Sequence, residues 1–474
     1  MTLYGMVHGD SCWSHALSAA GPGADGMVTS MPKTAWRIDP TGSLNGDVEV
    51  RGSKNSVTKH MVAAMLGRTP SRIENIPHVG DVDITAAMLN DLGITVGRDR
   101  SGIEIFPSAQ IQSEVPMSYS GRNRIPVLLI GPLLALTGEA FVPGVGGDKI
   151  GARPVDFHVS ALRAMGAEIS VHEHGIHAKA GRLAGARISL PYPSVGATES
   201  ILLSAVLAEG RTVISNAATE PEVGELALFL QRMGAGIEFQ PDRRILIEGV
   251  DRLDGASIRL QGDRLEAFSY LVAGLLTGGH VRVHGCPQDR LVTAISTLRR
   301  MGGEIAINDE FLSASAPRGL RPAAVHTDTH PGFMTDWQTP LLVLMSQAKG
   351  LSVLHETVFE NRFVYVPALN QLGCEIELFS TCLGGNACRF HDANYLHSAV
   401  VRGPSRLVGA EVDVPDVRAG FSSVIAASIA DGPSVLKDVT SLERGYDRPL
   451  ERLQSIGMEI SRIEIPDATP PMRS

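Results

Sequence analysis

The chain has few cysteines, and their arrangement excludes two kinds of stabilised fold. The five cysteines among 474 residues are Cys12, Cys286, Cys374, Cys382 and Cys388. They are odd in number and show neither CxxC nor Cys/His zinc spacing, so the spacing favours neither a disulfide framework nor a metal site. We therefore expect no bound metal.

Aromatic residues, basic charge and long apolar runs are also scarce. Aromatic residues make up 5% of the chain and the formal net charge is −9, which argues against a nucleic-acid-binding surface. An acidic protein can still bind anions if arginine and lysine are focused in a cleft. No apolar run approaches the roughly 18 residues of a membrane span, and no basic segment followed by an apolar one opens the chain. We expect a cytoplasmic protein without nucleic-acid or membrane partners.

The length and composition indicate a folded protein of several domains. A chain of 474 residues with 43% hydrophobic and 20% charged residues is expected to form two or three domains. Residues 1–34 are rich in glycine, serine and alanine, which predicts a mobile N-terminal extension.

A short phrase containing glycine recurs six times. The copies are LGITV from Leu92, MGAEI from Met165, MGAGI from Met233, MGGEI from Met301, LGCEI from Leu372 and IGMEI from Ile456. Apolar residues three and four apart precede each copy, and alternating apolar and polar residues follow it. The glycine lies where a helix C-cap requires a positive φ. Each repeat of about 70 residues is therefore predicted to contain a helix, a glycine and a hairpin.

A polar loop precedes each of these helices and follows a short alternating strand. The second such loop is the glycine-rich PGVGGDKIGARP, residues 143–154. Loops between a strand and a helix bring backbone N–H groups to one edge, where anions are bound. Three repeats in each half predict two similar α/β domains with a cleft between them.

Nine motifs in order resemble the enolpyruvyl transferases, over roughly residues 35–463. The motifs are GSKN (52–55), IGARPVDFH (150–158), SVGATE (194–199), NAATEPEV (216–223), GDRLEA (262–267), HPGFMTDWQ (330–338), ETVFENRF (356–363), DVRAG (416–420) and ERGY (443–446). The resemblance implies an α/β fold of two inverse α/β barrels, each of three βαβαββ repeats, with the active site in the interdomain cleft. It implies a C-terminal-type domain of residues 35–52 and 263–474 and an N-terminal-type domain of residues 53–262, which carries the catalytic loop. The chain would cross between them near Gly52 and Gly262.

The resemblance also implies a reaction, in which the enolpyruvyl group of phosphoenolpyruvate passes to a hydroxyl of a uridine nucleotide and phosphate is released. No metal or organic cofactor is implied. The leading acceptor is the 3-hydroxyl of UDP-N-acetylglucosamine, a step of peptidoglycan precursor synthesis. The 3′-hydroxyl of UMP, as in nucleoside-antibiotic biosynthesis, stays open because Tyr192 stands where many relatives have lysine. An inactive nucleotide-binding paralogue is a further alternative, and the sequence does not indicate an oligomeric state.

Phosphoenolpyruvate carries a phosphate and a carboxylate, so several cationic groups must converge on it. The resemblance assigns this binding to Lys54, Arg124, Arg153, Arg362, Arg418 and Arg444. An isolated surface arginine would instead form a solvated ion pair worth less than about 1 kcal/mol.

Three residues are assigned to catalysis, namely Asp148, Asp336 and Lys54. Asp336 matches the family's proposed base toward the acceptor hydroxyl, although an aspartate at this point can also cap a helix. Asp148 stands where the family usually has a cysteine credited with proton transfer or product release. Residues 143–149 around it are predicted to form a lid, since closure would exclude water.

The acceptor nucleotide has its own set of matching positions. They are Asn55, Arg153, Pro154, Val155, Asp156, Phe157, Ser194, Val195, Gly196, Asp336, Val358 and Phe359. The turn at 194–196 suits phosphate oxygens through its backbone N–H groups, and an arginine beside an aromatic ring suits uracil.

The aspartate at position 148 predicts resistance to epoxide inhibitors. A carboxylate is not a soft thiolate nucleophile, so fosfomycin, which alkylates the family's cysteine, is expected to leave the enzyme active. Phosphate release after preincubation with fosfomycin measures this, and rapid covalent inactivation would contradict the prediction.

Overall fold

A computed structural model describes residues 33–147, 151, 154–385, 388–414 and 416–465. Residues 1–32 of the expected N-terminal extension lie outside this part of the chain. The first strand begins at Lys33.

The described residues of the first part of the chain form thirteen strands and six helices. They are β1 (Lys33–Ile38), β2 (Asn45–Glu49), α1 (Lys54–Ala64), β3 (Ser71–Glu74), α2 (Gly80–Asp91), β4 (Thr95–Arg98), β5 (Gly102–Phe106), α3 (Ile125–Thr137), β6 (Glu139–Pro143), α4 (Asp156–Ala164), β7 (Glu168–His172), β8 (Gly175–Lys179), β9 (Arg187–Ser189), α5 (Val195–Ala205), β10 (Arg211–Ser215), α6 (Pro221–Arg232), β11 (Gly236–Gln240), β12 (Arg244–Glu248) and β13 (Ser257–Arg259).

The second part continues the same alternation. Its elements are α7 (Arg264–Leu276), β14 (His280–His284), α8 (Val292–Arg300), β15 (Glu304–Ile307), β16 (Phe311–Ser315), β17 (Ala324–His326), α9 (Gln338–Ser346), β18 (Gly350–His355), α10 (Val366–Gln371), β19 (Glu375–Phe379), β20 (Ser398–Gly403), β21 (Glu411–Asp413), α11 (Val417–Ser428), β22 (Ser434–Lys437), α12 (Thr440–Gly445), α13 (Pro449–Ser455) and β23 (Ile460–Ile465). Short 3₁₀ turns occur at Met117–Tyr119, Gln288–Leu291 and Thr335–Trp337.

The strands form six small sheets, one for each repeat. Five have four strands, in the orders β13-β3-β5-β4, β9-β10-β12-β11, β2-β14-β16-β15, β17-β18-β20-β19 and β21-β22-β1-β23. In each, the first pair is parallel and the next two pairs are antiparallel. The sixth sheet, β6-β8-β7, has an isolated parallel bridge between Glu114 and Phe141 in the place of its fourth strand. The sixfold repeat inferred from the sequence is therefore a repeat of structure.

The glycines of the six phrases have the backbone conformation that the sequence predicts. Their φ angles lie between +88° and +108°, at Gly93, Gly166, Gly234, Gly302, Gly373 and Gly457. Five of them are followed by an antiparallel hairpin. The sixth hairpin was wrongly predicted, because the partner strand of β23 among the described residues is β1, with Ala35 opposite Ile463.

Three helices form the centre of each half. α3 packs on both α1 and α5, while α7, α9 and α11 pack on one another. These helices are buried on nearly every side, as in the run Ile125–Leu134 of α3. The remaining long helices bury one face only, so each half has helices inside and sheets around them.

Two hydrophobic cores result. One contains buried residues from Val57 to Leu260, and the other joins Trp36–Val50 to Leu265–Ile460. Gly52 and Gly262 face each other in an antiparallel bridge between these stretches. No helix in the described part of the chain is long and apolar enough to cross a membrane.

Candidate active site

The central helices α1, α3, α5, α7 and α9 begin at one cleft of about 530 Å³. Its lining includes Lys54 at the start of α1, Arg124 before α3, Ser194 before α5, Arg264 at the start of α7 and Asp336 in the turn before α9. Helix N-termini present unpaired N–H groups and a partial positive charge. The repeat therefore brings several anion-binding helix ends to one place.

Short polar side chains fix where these helices begin. The hydroxyl of Ser53 accepts a hydrogen bond from Asn55 N at 3.1 Å, and that of Ser194 accepts one from Ala197 N at 3.3 Å. Asp416 does the same for α11, accepting from Arg418 N at 2.8 Å. These caps hold Lys54 and the 194–196 turn at the cleft surface.

Asp81 joins two of the predicted phosphoenolpyruvate residues. Its carboxylate lies 2.9 Å from Lys54 Nζ and 3.5 Å from Arg444 Nε. Asp81 belongs to α2 in the first half and Arg444 to α12 in the second, so this ion cluster spans the two halves. All three residues line the cleft, together with Arg124.

Asp336 is held by two buried arginines. Its Oδ1 atom lies 3.0 Å from Arg362 Nη2, and its Oδ2 atom lies 3.9 Å from Arg418 Nε. The side chains of Arg362 and Arg418 are 2% and 7% exposed, whereas that of Asp336 is 21% exposed. Neither arginine is among the residues that line the cleft. In this geometry, Asp336 reaches the cleft and Arg362 supports it from behind.

Two observations refine the expectations for these residues. Asp336 accepts its hydrogen bond from an arginine, and neither the 3₁₀ turn nor α9 has a side-chain cap, which removes the helix-cap interpretation. Arg418 stacks 4.9 Å above the ring of Tyr446. Its buried Nη1 has no hydrogen-bond partner among the described residues.

The predicted nucleotide residues lie on two walls of the cleft. One wall carries Pro154, Asp156 and Phe157 at the start of α4, and Asn55, Ser194, Val195 and Gly196 at the starts of α1 and α5. Val358 and Phe359 lie on the other wall. Val155 is the exception, since it packs against the core of the first half.

Glu356 fixes the wall that carries Val358 and Phe359. Its carboxylate accepts hydrogen bonds from Val358 N at 2.7 Å, from Phe359 N at 2.9 Å and from the Thr335 hydroxyl at 2.9 Å. Burial raises the pKa of Glu356. This one side chain couples the 358–359 loop to the turn that contains Asp336.

His158 lies beneath the first wall. A Cβ atom at Gly196 would lie 3.1 Å from His158 Nε2, so a larger residue would crowd the start of α5. Burial, with a smaller contribution from the charge of Arg124, lowers the pKa of His158 to about 4. The imidazole is therefore neutral near pH 7 and adds no charge to the cleft.

Two predicted site residues, Asp148 and Arg153, lie outside the described residues. Gly151 between them is described, and a Cβ atom there would collide with a carboxylate oxygen of Glu360. At this point the glycine-rich loop of the first half contacts the 358–360 loop of the second.

Sequence reasoning missed several residues of the cleft. Lys59 and Glu199 line it, with 3.9 Å between Lys59 Nζ and Glu199 Oε2. Arg389 lies 4.6 Å above the ring of Tyr192 and donates to Val358 O at 2.7 Å, which links the two walls. Glu199 belongs to the SVGATE motif and was within reach of the resemblance, but Arg389 lies in none of the motifs.

Glu199 makes stability depend on pH. Burial raises its pKa from 4.5 to about 7, so the folded protein keeps a proton that the unfolded chain loses. Stability therefore falls as the pH rises from about 4.5 to above 7, by about 3 kcal/mol for such a shift. We expect Glu199→Gln to raise the midpoint of urea unfolding at pH 8.5 but not at pH 5. The exposed Glu209→Gln is the control, and an equal gain at both pH values would refute the assignment.

The fold and the cleft define a two-domain α/β enzyme that brings cationic groups and helix N-termini together at one cleft. The chain belongs to the family of EPSP synthase (3-phosphoshikimate 1-carboxyvinyltransferase), whose family model matches residues 38–453. It is an enolpyruvyl (1-carboxyvinyl) transferase, and the resemblance seen in the motifs is confirmed.

Curated relatives match over most of their length. The chain is 41% identical to UDP-N-acetylglucosamine 1-carboxyvinyltransferase of Protochlamydia amoebophila (strain UWE25), over 89% of this chain and 92% of that one. It is 43% identical to the protein of the same name from Chlamydia pneumoniae, over 90% and 94% of the two chains. The Azorhizobium caulinodans protein of that name is 40% identical, over 90% and 99%.

Solved structures share the fold. The enolpyruvyl transferase NikO from Streptomyces tendae has a TM-score of 0.82 at 23% identity, over 92% of this chain and 100% of that one. EPSP synthase from Acinetobacter baumannii has a TM-score of 0.70 at 19% identity, over 91% and 100%. These likenesses confirm the expected α/β fold of two domains.

Proposed function

We propose that the protein transfers the enolpyruvyl group of phosphoenolpyruvate to the 3-hydroxyl of UDP-N-acetylglucosamine, with release of phosphate, in peptidoglycan precursor synthesis. The observation that carries the proposal is the carboxylate of Asp336, which two buried arginines hold in the cleft that the 194–196 turn also lines. The relatives at about 40% identity bear the name of this activity.

Phosphoenolpyruvate is assigned to the cationic side of the cleft. Lys54, Arg124 and Arg444 line it. Arg418, whose buried Nη1 has no hydrogen-bond partner among the described residues, contacts Asp336 from behind the cleft surface. Separate cations suit a substrate with a phosphate at one end and a carboxylate at the other. We assign Arg153 to the same substrate by its place in the motif, and Arg362 to holding Asp336.

The uridine nucleotide is assigned to the two walls. The N–H groups at the start of α5, after Ser194, suit the diphosphate, and the residues at the start of α4 suit the uracil. The sugar would then lie between Asn55, Asp336 and the 358–359 loop, which all line the same cleft. This placement brings the acceptor hydroxyl to Asp336.

The reaction is an addition followed by an elimination. Asp336 accepts the proton of the acceptor hydroxyl, whose oxygen bonds to C2 of phosphoenolpyruvate, while Asp148 donates a proton to C3. Loss of a proton from C3 then restores the double bond as the C2–O bond to phosphate breaks. Lys54 stabilises the charge that gathers on the leaving phosphate.

Product mass tests the acceptor. Phosphoenolpyruvate is incubated in parallel with UDP-N-acetylglucosamine and with UMP, and phosphate release and product mass are measured. We expect one enolpyruvyl unit on UDP-N-acetylglucosamine only. Transfer to UMP alone would replace the proposed acceptor, and no release with either would favour an inactive nucleotide-binding paralogue.

The domain boundaries and the compartment are part of the proposal. The two hydrophobic cores support domains of residues 53–262 and of residues 35–52 with 263–474, since one core lies within Val57–Leu260. A cytoplasmic location is supported by the four described cysteines, which form no disulfide, as expected in a reducing compartment.

A further inference from the structure

Two histidine and two cysteine side chains lie close together at one end of the sheet β17-β18-β20-β19. His355 ends β18, His397 directly precedes β20, and Cys382 and Cys388 lie in the loop between β19 and β20. Their ligand atoms all lie within 4.8 Å of one another. We propose that these four residues bind a structural Zn²⁺ ion, independently of the transferase reaction.

The distances fit a tetrahedral zinc site. With Zn–S near 2.3 Å and Zn–N near 2.05 Å, ideal tetrahedral edges are about 3.8 Å between two sulfurs and about 3.6 Å between sulfur and nitrogen. The Cys382 and Cys388 sulfurs are 3.6 Å apart, and Cys382 Sγ lies 3.4 Å from His397 Nε2. Both cysteines are free, and their sulfur separation is far beyond the roughly 2.0 Å of a disulfide.

The surroundings orient the ligands toward a common point. His397 Nδ1 lies 2.8 Å from Tyr395 O, and donation to this carbonyl leaves the lone pair of Nε2 facing Cys382. His355 Nε2 is buried and has no hydrogen-bond partner among the described residues. Phe390 N donates to Cys388 Sγ at 3.3 Å, so the backbone of the loop holds this sulfur in place. A cation would satisfy the orphaned nitrogen and the paired sulfurs together.

The ligand set selects zinc and a structural role. Two sulfurs and two imidazole nitrogens in a tetrahedron are typical of Zn²⁺, and four protein ligands leave no open position for catalysis. The expectation of no metal site was based on the spacing of the cysteines along the chain. The fold brings ligands together that are far apart in sequence, because the antiparallel pairing of β18 with β20 places His355 opposite Ser398, next to His397.

The site adjoins the catalytic cleft on two sides. Arg389 follows Cys388 and contacts the Tyr192 ring and Val358 O across the cleft. Glu356 follows His355 and holds the loop that contains Val358. A bound ion would therefore fix both the loop that carries Arg389 and the adjacent wall.

Metal analysis tests the proposal without reference to activity. Wild type, purified under reducing conditions and dialysed free of loose metal, is expected to contain about one zinc per chain by elemental mass spectrometry. The double variant Cys382→Ser, Cys388→Ser is expected to lose at least nine-tenths of it. Cys374→Ala is the matched control, since it removes another cysteine of the same half, and it should retain the metal.

Spectroscopy on the wild type covers the case in which the double variant fails to fold. X-ray absorption at the zinc edge should show two sulfur and two nitrogen ligands, and Co²⁺ substitution should give thiolate charge-transfer bands. The proposal is overturned if reduced wild type neither contains nor takes up zinc, if the folded double variant keeps its metal, or if the ligand shell lacks sulfur.

Discussion

Asp336→Asn is expected to lower kcat by about 10²–10⁴-fold, the usual contribution of a positioned general base. The amide keeps the shape of the carboxylate but cannot accept the proton of the acceptor hydroxyl at neutral pH. Arg362 and Arg418 hold the carboxylate at 3.0 and 3.9 Å, so its position does not depend on the substrate. KM values for both substrates should change little, because the loss concerns the transition state.

The control for this variant is Asp251→Asn. Its carboxylate is 94% exposed and pairs with Arg182 on the surface. Full activity is expected from it, as exposed pairs contribute little. A loss of less than tenfold in Asp336→Asn would remove this residue from the chemical step, and binding of both substrates should be measured by calorimetry to separate chemistry from affinity.

Lys54→Met is expected to reduce kcat/KM for phosphoenolpyruvate by about 30- to 5000-fold, which corresponds to about 2–5 kcal/mol for removing one partner of a partly buried charge pair. The ammonium group lies at the start of α1, 2.9 Å from Asp81 Oδ2, and its side chain is 14% exposed. Without this ammonium group, the negative charge of Asp81 would be less well balanced and would repel an anionic substrate.

Lys179→Met is the matched control, because this lysine is 59% exposed and pairs with Glu139 at 2.9 Å outside the cleft. Initial rates at varied phosphoenolpyruvate, with the nucleotide saturating, measure the effect. The assignment of Lys54 to the phosphate fails if its variant shows the same kcat/KM for phosphoenolpyruvate as the control.

The repeat could be predicted from the sequence because it depends on the conformation of residues close together in the chain. Each phrase glycine must adopt a positive φ at a helix end, as Gly93 and Gly302 do at +88° and +95°. The sixth hairpin was not accessible, since its second strand is β1, more than 400 residues earlier in the chain. The central helices were also hard to delimit, because a helix buried on all sides, such as α3, lacks an amphipathic period.

The motifs predicted part of the cleft lining and left out other motif residues, such as Glu199. Lys54, Ser194 and Asp336 line the cleft together, as the resemblance implies. Whether a side chain lies in the cleft or behind it depends on contacts between distant parts of the chain. The motifs therefore could not show that Arg362 is buried or that Arg389 lies over the Tyr192 ring. The four clustered cysteine and histidine ligands escaped spacing rules for the same reason.

A crystal structure of the Asp336→Asn variant with UDP-N-acetylglucosamine and phosphoenolpyruvate tests the proposed site most directly. We expect the diphosphate at the start of α5 and the 3-hydroxyl within about 3 Å of the side chain at position 336, the reach of a hydrogen bond. A nucleotide bound outside the cleft, or one whose 3-hydroxyl points away from position 336, would contradict the proposed acceptor and the role of Asp336.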